Sequence, residues 1–529
     1  MHPHIDALNH HGSVRKAAAA LGLRRSTFFD NLNREKRALD MIQQANQIEV
    51  EPARSNAVPR YFILTSAVRG APVHTDFLRN LQAYADHLGA KLLVGPMTNA
   101  GRQRFGDVDE EDFAPELLDY LQDTPVLIGD KVRFCPELNL TPTMVRPLQG
   151  MQTYTKRYWG IFPHTKISLE TVATHKDRPT KFIATTGAVT HPHYSPTKAG
   201  YRAHFDHVHG AVILEVTRDG CWFRHVTPTS ELDGTFYDLG IRVQRGEVQW
   251  HSGVQALVYG DIHVEKLDPD SARATWGYNT PKTGFTPLVD HLKPTIQVYH
   301  DLMDMHFANY HELDNMFSRL DGSGDESATA KGAFATVYDF LAFVTGKSKQ
   351  NVVVDSNHDY FIEKWLLKFD PGAKGDFINA ESYYELKLAL VRESLDGRSR
   401  SLLDTVMRTM ARSCRDGATL DKVRFLRADE SFEIDNIECG WHGHNGPNGR
   451  RGSKTAFKFV TEKSTIGHLH SPSIESGCHV VGTSSSLDLK YNKGPSSWAH
   501  THGIIYPHGG RTLITLSDNK FWATQGEVK

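Results

Sequence analysis

The chain has 529 residues, of which 39% are hydrophobic and 23% are charged, a composition typical of folded globular proteins. This length exceeds what one ordinary hydrophobic core supports, so the sequence predicts two or three domains. The net charge of −2 excludes nucleic-acid binding through the overall surface charge and leaves only local basic patches for that role. No apolar run reaches the ~18 residues of a membrane span. The five scattered cysteines fit a reduced, cytoplasmic protein that does not contact a membrane.

Residues 1–45 have the pattern of a small helix-turn-helix unit. Ser13 is a suitable N-cap for a helix that ends at Leu21, Gly22 begins a tight turn, and a second helix is predicted over 26–33. The segment resembles DNA-binding units of phage and bacterial regulators, whose second helix enters the major groove. An Ala-rich helical pair used for packing or oligomerisation is the alternative. The basic residues expected to contact phosphate groups are Arg15, Lys16, Arg24 and Arg25.

A polar stretch near residues 52–59 is interpreted as a linker to an α/β accessory domain over residues 57–250. This domain opens with the strand RYFILTSAV, an amphipathic helix over 76–88 and the strand AKLLVGP, which together predict a βαβ unit. Further strands are predicted at KFIATTG, AVILEVT and CWFRHV. This region contains no catalytic motif, and a scaffold, a substrate platform or an oligomer interface all remain open as its role.

Four short motifs in the C-terminal half contain the residues expected to perform chemistry. GDIH ends at His263, HDLMD begins at His300, SNHD ends at Asp359, and GHLH ends at His470. The first three follow β-rich apolar runs, which places their polar side chains on loops at strand ends. Carboxylate and amide oxygens mixed with imidazole nitrogens suit a pair of divalent transition metals. The pattern therefore predicts a two-metal hydrolase.

The order of these motifs resembles the calcineurin-like metallophosphoesterase superfamily, whose motifs are DxH, GDxxD, GNHD or GNHE, a lone His, and GHxH. The resemblance implies an α/β fold in residues 251–525, a metallophosphoesterase β-sandwich flanked by helices. It would follow the accessory domain and the helix-turn-helix, with a flexible insertion at 321–332 and a helical block at about 380–413. Other HxH pairs are interpreted as core or surface histidines: His191 with His193, His207 with His209, and His500 with His502.

The resemblance also assigns metal ligands. Asp301 would bridge two divalent ions and hold them ~3.5–4 Å apart, so that both share one hydroxide that attacks phosphorus. Manganese is the expected metal, with iron, zinc or nickel as alternatives. His444 is the alternative to His442 as the lone histidine. The remaining ligands are Asp261, His263 and His470 for the first ion, and Asn357, His442 and His468 for the second.

The same resemblance implies that His358 protonates the leaving oxygen or stabilises the developing charge, with Asp359 orienting its ring. Asp359 is also a candidate cap for the helix that follows, and the two roles are compatible. Asp304 is expected to support its loop rather than to bind metal. The sequence departs from the family pattern at His300 and Ser356, each of which replaces a glycine, and these changes affect loop geometry but remove no ligand.

A Gly- and Asn-rich loop follows His444 and carries Arg450, Arg451 and Lys454. These three residues are expected to grip a phosphodiester backbone, and a solvated hairpin tip is the alternative interpretation. The stretch GHLHSPSIESGCHVVGTSSSLDLKYNKGPSSWAHTHGIIYPHGGRTLITL resembles phage-encoded metallophosphoesterases, among them the pre-early host-DNA-degradation proteins of T-five-like phages.

The phage resemblance implies a manganese-dependent DNase that acts on host DNA in the bacterial cytoplasm. A homo-oligomer and a phage partner protein remain open. Two alternatives to a DNase also remain: a phosphatase or cyclic-nucleotide phosphodiesterase that acts on a small substrate, and a DNA-binding regulator whose phosphoesterase domain is an inactive scaffold.

Overall fold

The protein, seen in a computed structural model, has a mixed α/β fold. The structure describes residues 2–46, 49–52, 59–98, 112–251, 253–280, 286–305, 308, 329–371, 377–397, 400–414, 417–489 and 492–523. The strands in chain order are β1 Glu49–Glu51, β2 Arg60–Val68, β3 Lys91–Met97, β4 Val126–Ile128, β5 Val132–Phe134, β6 Trp159–Phe162, β7 Ser168–Val172, β8 Lys181–Thr185, β9 Ala211–Val216, β10 Cys221–Val226, β11 Phe236–Asp238, β12 Ile241–Gln244, β13 Glu247–Trp250, β14 Ala256–Val258, β15 Ile296–Tyr299, β16 Gln350–Val353, β17 Val423–Phe425, β18 Glu433–Ile434, β19 Ile437–Glu438, β20 Lys463–Ile466, β21 Ser473–Glu475, β22 Cys478–Val480, β23 Thr501–Ile505 and β24 Arg511–Thr515.

The α-helices lie at Pro3–His11, Val14–Ala20, Arg25–Asn46, Thr75–Leu88, Lys198–Asp206, Pro269–Trp276, Leu288–Leu292, Ala330–Val344, Asp359–Lys368, Phe377–Leu395, Leu402–Cys414 and Lys454–Phe457. None of the helices in the described part of the chain combines the length and the apolar character that a membrane crossing requires. The four cysteines whose side chains are described, Cys135, Cys221, Cys439 and Cys478, are free and buried.

A six-stranded sheet, in the order β17-β16-β15-β14-β23-β24, forms the centre of the C-terminal half. Its strands β14 to β17 are parallel, and β23 pairs antiparallel with β14. Side chains alternate between the two faces, as the period of a strand requires. Ala256 and Val258 join the core shared with the second large sheet, whereas Leu257 joins the core beneath the helices. The sheet is therefore buried on both faces, which explains its continuous apolar runs.

An eleven-stranded sheet packs against this one, in the order β1-β4-β5-β6-β8-β7-β21-β22-β20-β19-β18. Its strands come from both sides of the predicted domain boundary near residue 250, because β7 pairs antiparallel with β21 through Leu169 and Ile474. The boundary itself stays a prediction. The hydrogen bonds of this sheet nevertheless join the predicted accessory region to the predicted catalytic region.

The predicted βαβ opening is present. β2 and β3 pair in parallel, the helix Thr75–Leu88 connects them, and the side chain of His74 accepts a hydrogen bond from the amide of Phe77 at the start of that helix. β9 and β10 complete a four-stranded sheet in the order β10-β9-β2-β3, and β11, β12 and β13 form a small antiparallel sheet. The strands expected at KFIATTG, AVILEVT and CWFRHV are β8, β9 and β10.

The N-terminal unit contains three helices rather than two. Ser13 caps the helix Val14–Ala20 as predicted, because its side chain accepts a hydrogen bond from the Lys16 amide. The second predicted helix, over 26–33, is too short: the helix extends over Arg25–Asn46. The additional helix Pro3–His11 was not predicted; it is tied to the long helix by His4, whose Nδ1 lies 2.6 Å from Glu35 Oε1. A small core forms between the three helices from Ala17, Ala18, Phe28 and Leu32.

The predicted helical block at about 380–413 corresponds to the helices Phe377–Leu395 and Leu402–Cys414. Most of the predicted linker, residues 53–58, lies outside the described residues. So does most of the predicted insertion, residues 321–328.

Candidate metal centre

The predicted ligands lie on loops at one edge of the six-stranded sheet. Asp261 follows β14, Asp301 follows β15, and Asn357 follows β16. Because these strands are parallel, their carboxyl ends meet at the same edge, where a site commonly forms in such sheets. His442 and His468 reach the edge from loops that follow β19 and β20 of the eleven-stranded sheet. The candidate centre thus forms where the two large sheets meet.

The first group of side chains consists of Asp261, His263 and His470. The Nε2 atom of His470 lies 3.0 Å from Asp261 Oδ2 and 3.3 Å from Nε2 of His263. All three side chains are buried. Two imidazole nitrogens and a carboxylate oxygen therefore converge on one point, as ligands of a single cation do.

Asp301 lies between the two predicted groups. Its Oδ2 atom is 3.5 Å from Nε2 of His263 on one side and 3.5 Å from Nε2 of His442 on the other. Asp261 also approaches both groups, because its Oδ1 lies 3.9 Å from His442 Nδ1 and its Oδ2 lies 3.0 Å from His470 Nε2, but Asp301 makes both of its contacts through a single oxygen. This is the placement that a bridging carboxylate requires.

The second group is centred on the amide oxygen of Asn357. His442 Nε2 lies 3.0 Å from this oxygen and His468 Nδ1 lies 2.9 Å from it. The alternative lone histidine, His444, directs its Nε2 to the side-chain amide of Asn445 at 2.9 Å. The geometry therefore favours His442 over His444 as the ligand.

The chemistry of this donor set fits divalent cations. Burial lowers the pKa of His263 to about 3 and places the pKa of His442 well below its ordinary value, so both rings are neutral and hold a free lone pair. Asp301 Oδ1 is buried and has no hydrogen-bond partner among the described residues, and Asp261 Oδ2 has only the nearby His470 nitrogen. Unpartnered buried oxygens are costly for folding alone, and they fit two bound cations.

Four of the seven predicted ligands have a left-handed backbone conformation that residues other than glycine rarely adopt. The φ angles are 45° at His263, 46° at Asp301, 70° at His468 and 54° at His470. The amide of His263 donates to the Asp301 carbonyl at 2.9 Å, which ties two of these loops together. Such strain is concentrated at functional positions, where the surrounding fold maintains it.

Gly467 allows two ligand loops to approach each other. The Asp261 Oδ1 atom accepts a hydrogen bond of 3.0 Å from the amide of His468, directly beside this glycine. A Cβ atom at position 467 would overlap with Oδ1 of Asp261. The absence of a side chain is therefore a condition for the position of the Asp261 carboxylate.

His358 lies beside Asp301, with 3.8 Å between its Nε2 and Asp301 Oδ2. The ring is oriented by the backbone of Asp304, because Nδ1 of His358 donates to the Asp304 carbonyl at 2.7 Å. Burial alone would lower the pKa of His358, but the carboxylates of Asp301 and Asp304 outweigh it and raise the pKa. The raised pKa favours the protonated ring, and Nε2 is directed towards the centre.

The expectation that Asp359 orients this ring is wrong. Asp359 begins the helix Asp359–Lys368, and its Oδ2 accepts a hydrogen bond of 2.9 Å from the amide of Ser356. Burial and the neighbouring Asp355 carboxylate raise the pKa of Asp359 well above its ordinary value. A neutral carboxyl does not increase the basicity of a neighbouring imidazole, so Asp359 supports the loop instead.

Asp304 is closer to the site than the sequence indicated. Its Oδ1 atom lies 3.6 Å from Nδ1 of His263, and its amide donates to the half-buried Glu265 side chain at 2.9 Å. His300, at a position where the motif of the predicted superfamily has glycine, is fully buried, with its ring centroid 5.7 Å from that of His442. It fills space behind the ligands and does not displace them.

His502 supports the loop that carries Asp261, and nothing in the sequence indicates this role. Its Nδ1 accepts the amide of Gly260 at 3.1 Å, and its Nε2 lies 2.9 Å from the hydroxyl of Thr275. His502 is buried, which agrees with the interpretation of its HxH pair with His500 as core or surface histidines. Its position on β23, next to β14, could be known only once the strands were paired.

Comparison with curated proteins gives one clear relative. The chain is 35% identical over 480 residues to Protein A1 of Escherichia phage T5, and the match covers 87% of this chain and 83% of that protein. The chain belongs to the protein A1 family. The predicted resemblance to proteins of T-five-like phages is thereby confirmed. No family profile and no solved structure matches the chain, so membership in the metallophosphoesterase superfamily stays a prediction.

In this member of the protein A1 family, the residues predicted to contact DNA lie in two places. Arg450 and Arg451 are exposed on the hairpin closed by the pairing of Asn445 with Arg451. Lys454 is half-buried, and its Nζ lies 3.0 Å from Glu170 Oε1, so its charge is already paired. The N-terminal basic residues are all exposed: Arg15, Lys16, Arg24 and Arg25.

A second histidine cluster of this protein A1 relative lies outside the centre, where His74, His209 and Glu231 approach one another. His209 Nδ1 lies 2.7 Å from Glu231 Oε2. Nδ1 of His74 accepts the Phe77 amide, so Nε2 of this ring carries the proton when the ring is neutral, and a protonated nitrogen is not a metal ligand. His74 therefore does not offer Nε2 as a ligand, and this leaves only His209 and Glu231, which pair with each other.

Proposed function

We propose that the chain is a two-metal-dependent phosphodiesterase that hydrolyses DNA, with the metallophosphoesterase sandwich as its catalytic domain. The observation that supports this most is the position of Asp301, whose carboxylate lies between the two predicted ligand groups at 3.5 Å from a histidine of each. Phosphoryl transfer requires strong charge stabilisation and an activated water, and paired divalent cations supply both when bound.

The residues of the chain would hold and orient the reacting groups. Asp261, His263 and His470 would hold one cation, Asn357, His442 and His468 the other, and Asp301 would contact both. Manganese is the metal we expect, and the same donor set would accept iron, zinc or nickel.

His358 would donate a proton to the leaving oxygen. The Asp304 carbonyl accepts the hydrogen of Nδ1, so the protonated ring also directs an Nε2–H group towards the centre. Burial opposes the charged ring, but the carboxylates of Asp301 and Asp304 raise the pKa of His358 above its ordinary value, which favours the protonated form. Donation to an alkoxide leaving group such as a sugar oxygen is the step in which a general acid contributes most.

DNA is the proposed substrate because two basic surfaces accompany the centre. Arg451 lies close enough to the second ligand group for its charge to contribute to the lowered pKa of His468, although burial is the largest cause of that shift. Arg450 is exposed on the same hairpin. The N-terminal unit adds exposed arginines on a helix-turn-helix, which would increase affinity for a duplex.

The experiment that tests this proposal is degradation of linear and closed-circular duplex DNA by the purified protein with manganese, with magnesium and with chelator. Asp301→Asn is the matched variant, since it keeps the size of the side chain and removes the bridging charge. A nitrophenyl phosphodiester serves as a small substrate. We expect DNA loss with manganese, none with chelator, and none in the variant.

Cleavage of the nitrophenyl ester with DNA left intact would contradict a DNase and support an enzyme for small phosphodiesters. Inactivity on both substrates, in protein shown to contain two metal ions per chain, would contradict an enzymatic role. An intact closed circle beside a degraded linear duplex would identify the action as exonucleolytic.

A further inference from the structure

Glu265 holds a short piece of the backbone that follows Asp301. The amide of His263 already ties the loop after β14 to the loop after β15, because it donates to the Asp301 carbonyl at 2.9 Å. Further along the chain, the side chain of Glu265 adds a second connection. Its Oε2 accepts the amide of Asp304 at 2.9 Å, and its Oε1 accepts the amide of Met305 at 3.3 Å. One carboxylate therefore fixes two consecutive residues of the second loop.

The peptide bond between Asp304 and Met305 connects Glu265 to His358. The N–H group of this peptide bond is the Met305 amide, which donates to Glu265. Its C=O group is the Asp304 carbonyl, which accepts the hydrogen of His358 Nδ1 at 2.7 Å. Both groups lie in one plane, so a bond that fixes the N–H also fixes the direction of the C=O. A chain of two hydrogen bonds thus joins the carboxylate to the imidazole ring.

The backbone at this peptide bond has a conformation that the surrounding structure must maintain. Met305 has a φ angle of 56°, in the left-handed region that residues other than glycine rarely adopt. Its side chain is buried, and its amide is held by Glu265. Strained backbone of this kind is concentrated at functional positions. The hydrogen bond to Glu265 is therefore one of the contacts that keep the Asp304 carbonyl in place.

We infer that Glu265 is a positioning residue for proton transfer, because it aligns the carbonyl that accepts the hydrogen of His358 Nδ1 and so directs Nε2 towards the leaving oxygen. This inference rests on the proposed role of His358 as the proton donor. A carboxylate that accepts the N–H of a peptide also makes its C=O a stronger acceptor, since hydrogen bonds in a chain polarise one another. Glu265 would thus do, through one peptide bond, what the sequence assigned to Asp359.

Both oxygens of Glu265 act as acceptors, which is the pattern of an ionised carboxylate. Burial and the Asp304 carboxylate raise the pKa of Glu265 to about 7, whereas the hydrogen bonds from the backbone amides lower it. The experiments are therefore carried out at a pH above this value, where the unaltered side chain is charged.

The first experiment detects the proton on His358 Nδ1 by nuclear magnetic resonance in full-length protein treated with chelator. This proton gives the downfield imidazole signal that His358→Ala lacks. In Glu265→Gln the signal should move upfield, because glutamine is uncharged and offers one acceptor oxygen to two amides. Asp233→Asn is the matched control: its carboxylate also accepts a backbone amide, that of Thr235, and its replacement should leave the signal in place. The other histidine signals verify that each variant is folded.

The second experiment compares rates on DNA and on a nitrophenyl phosphodiester in the presence of manganese. Glu265→Gln should lower the rate on DNA by ~10-fold, as expected for a change behind a functional group. The rate on the nitrophenyl ester should fall much less, because that leaving group needs no proton. In protein that already carries His358→Ala, the same change should cause no further loss on DNA. The metal content per chain should stay as in the unaltered protein.

A His358 signal that does not move in Glu265→Gln would overturn the inference. Equal losses on the two substrates, or a further loss in the double variant, would overturn it as well. Loss of metal from Glu265→Gln would show that this residue supports the ligands instead. The proton signal needs neither metal nor substrate. A shifted signal in a protein that cleaves neither substrate would therefore support the alignment of His358 by Glu265 and contradict the proposed hydrolysis.

Discussion

Two buried polar clusters of this chain differ in the charge that faces their carboxylates. In the first, the Arg224 guanidinium donates to Asp238 at 2.6 and 2.8 Å and forms an ion pair with Glu215, while the Tyr84 hydroxyl donates to Asp238 at 2.8 Å. In the candidate metal centre, by contrast, the carboxylates of Asp261 and Asp301 face histidine rings, and no described lysine or arginine forms an ion pair with either of them. A carboxylate that is paired with a guanidinium contributes to folding, whereas carboxylates surrounded by imidazole rings fit a bound cation.

The largest expected effect is on the free energy of unfolding when one carboxylate is removed from each cluster. Asp238→Ala leaves a buried guanidinium short of a partner, and we expect a loss of about 3–5 kcal/mol in the free energy of unfolding. Asp301→Ala in protein treated with chelator should leave that free energy unchanged or higher, because a buried carboxylate whose Oδ1 has no hydrogen-bond partner among the described residues is removed. Urea denaturation of both variants measures this comparison.

Equal losses in the two variants would contradict the distinction between the clusters. Repeating the denaturation with manganese extends the comparison to metal-bound protein. The unaltered protein should gain stability with metal, since a ligand that binds only the folded state stabilises that state, and Asp301→Ala should gain much less.

The next effect concerns His358, which lies within the metal centre but is not predicted to bind metal. His358→Ala should lower the rate of DNA hydrolysis by ~10²–10⁴-fold while both metal ions remain bound, because the proton donor is lost. The loss should be smaller on a nitrophenyl phosphodiester, whose leaving group needs no proton. Rates on both substrates and the metal content per chain are the measurements.

Asp359→Asn provides the control for that prediction, since Asp359 bonds the Ser356 amide and not the His358 ring. An asparagine oxygen can accept the same hydrogen bond, so the ratio of the two rates should stay as in the unaltered protein. Loss of metal from His358→Ala would show instead that this histidine is a ligand.

A smaller effect is expected where the two ligand loops touch. Gly467→Ala would force the Asp261 carboxylate away from its position, and we expect about 10–100-fold weaker metal binding, as for other changes beside ligands. Gly346→Ala is the matched control, because a Cβ at that glycine meets no atom within 4 Å. Calorimetric titration of metal-free protein with manganese compares them, and equal affinities would contradict the role of Gly467.

The smallest effect is expected in the N-terminal unit, whose basic side chains are exposed, unlike the side chains of the buried centre. Replacing Arg24 and Arg25 by alanine should weaken duplex binding a few-fold and reduce the slope of log affinity against log salt by roughly 1 for each phosphate group that is no longer bound. Arg245→Ala, at another exposed arginine, should change neither. An unchanged salt slope would assign the N-terminal helices to packing.

The sequence was sufficient for those parts of the centre that depend on short motifs. Asp261, His263 and Asp301 follow strands that apolar runs make visible, and parallel pairing then forces their loops together. The choice of His442 as a ligand was harder to predict, because the neighbouring His444 has similar surroundings in the sequence. Only the contact with the Asn357 oxygen separates the two.

Other features depend on pairings between distant segments and could not be read from the chain. The role given to Asp359 failed because a backbone carbonyl, that of Asp304, accepts the hydrogen of His358 instead. Backbone acceptors have no signature in sequence. The eleven-stranded sheet was also not predicted, since its short strands come from both halves of the chain and are held together by nonlocal hydrogen bonds.

The pairing of β7 with β21 has a consequence for how this protein could be divided. The loop that carries His468 and His470 leads directly into β21, and the partner of that strand lies some three hundred residues earlier in the chain. A fragment that starts near residue 251 would contain every predicted ligand yet would leave the edge of β21 open to aggregation. The last ligand loop is therefore held in part by a strand from the earlier half, and we expect the predicted catalytic half to fold less well when it is expressed alone.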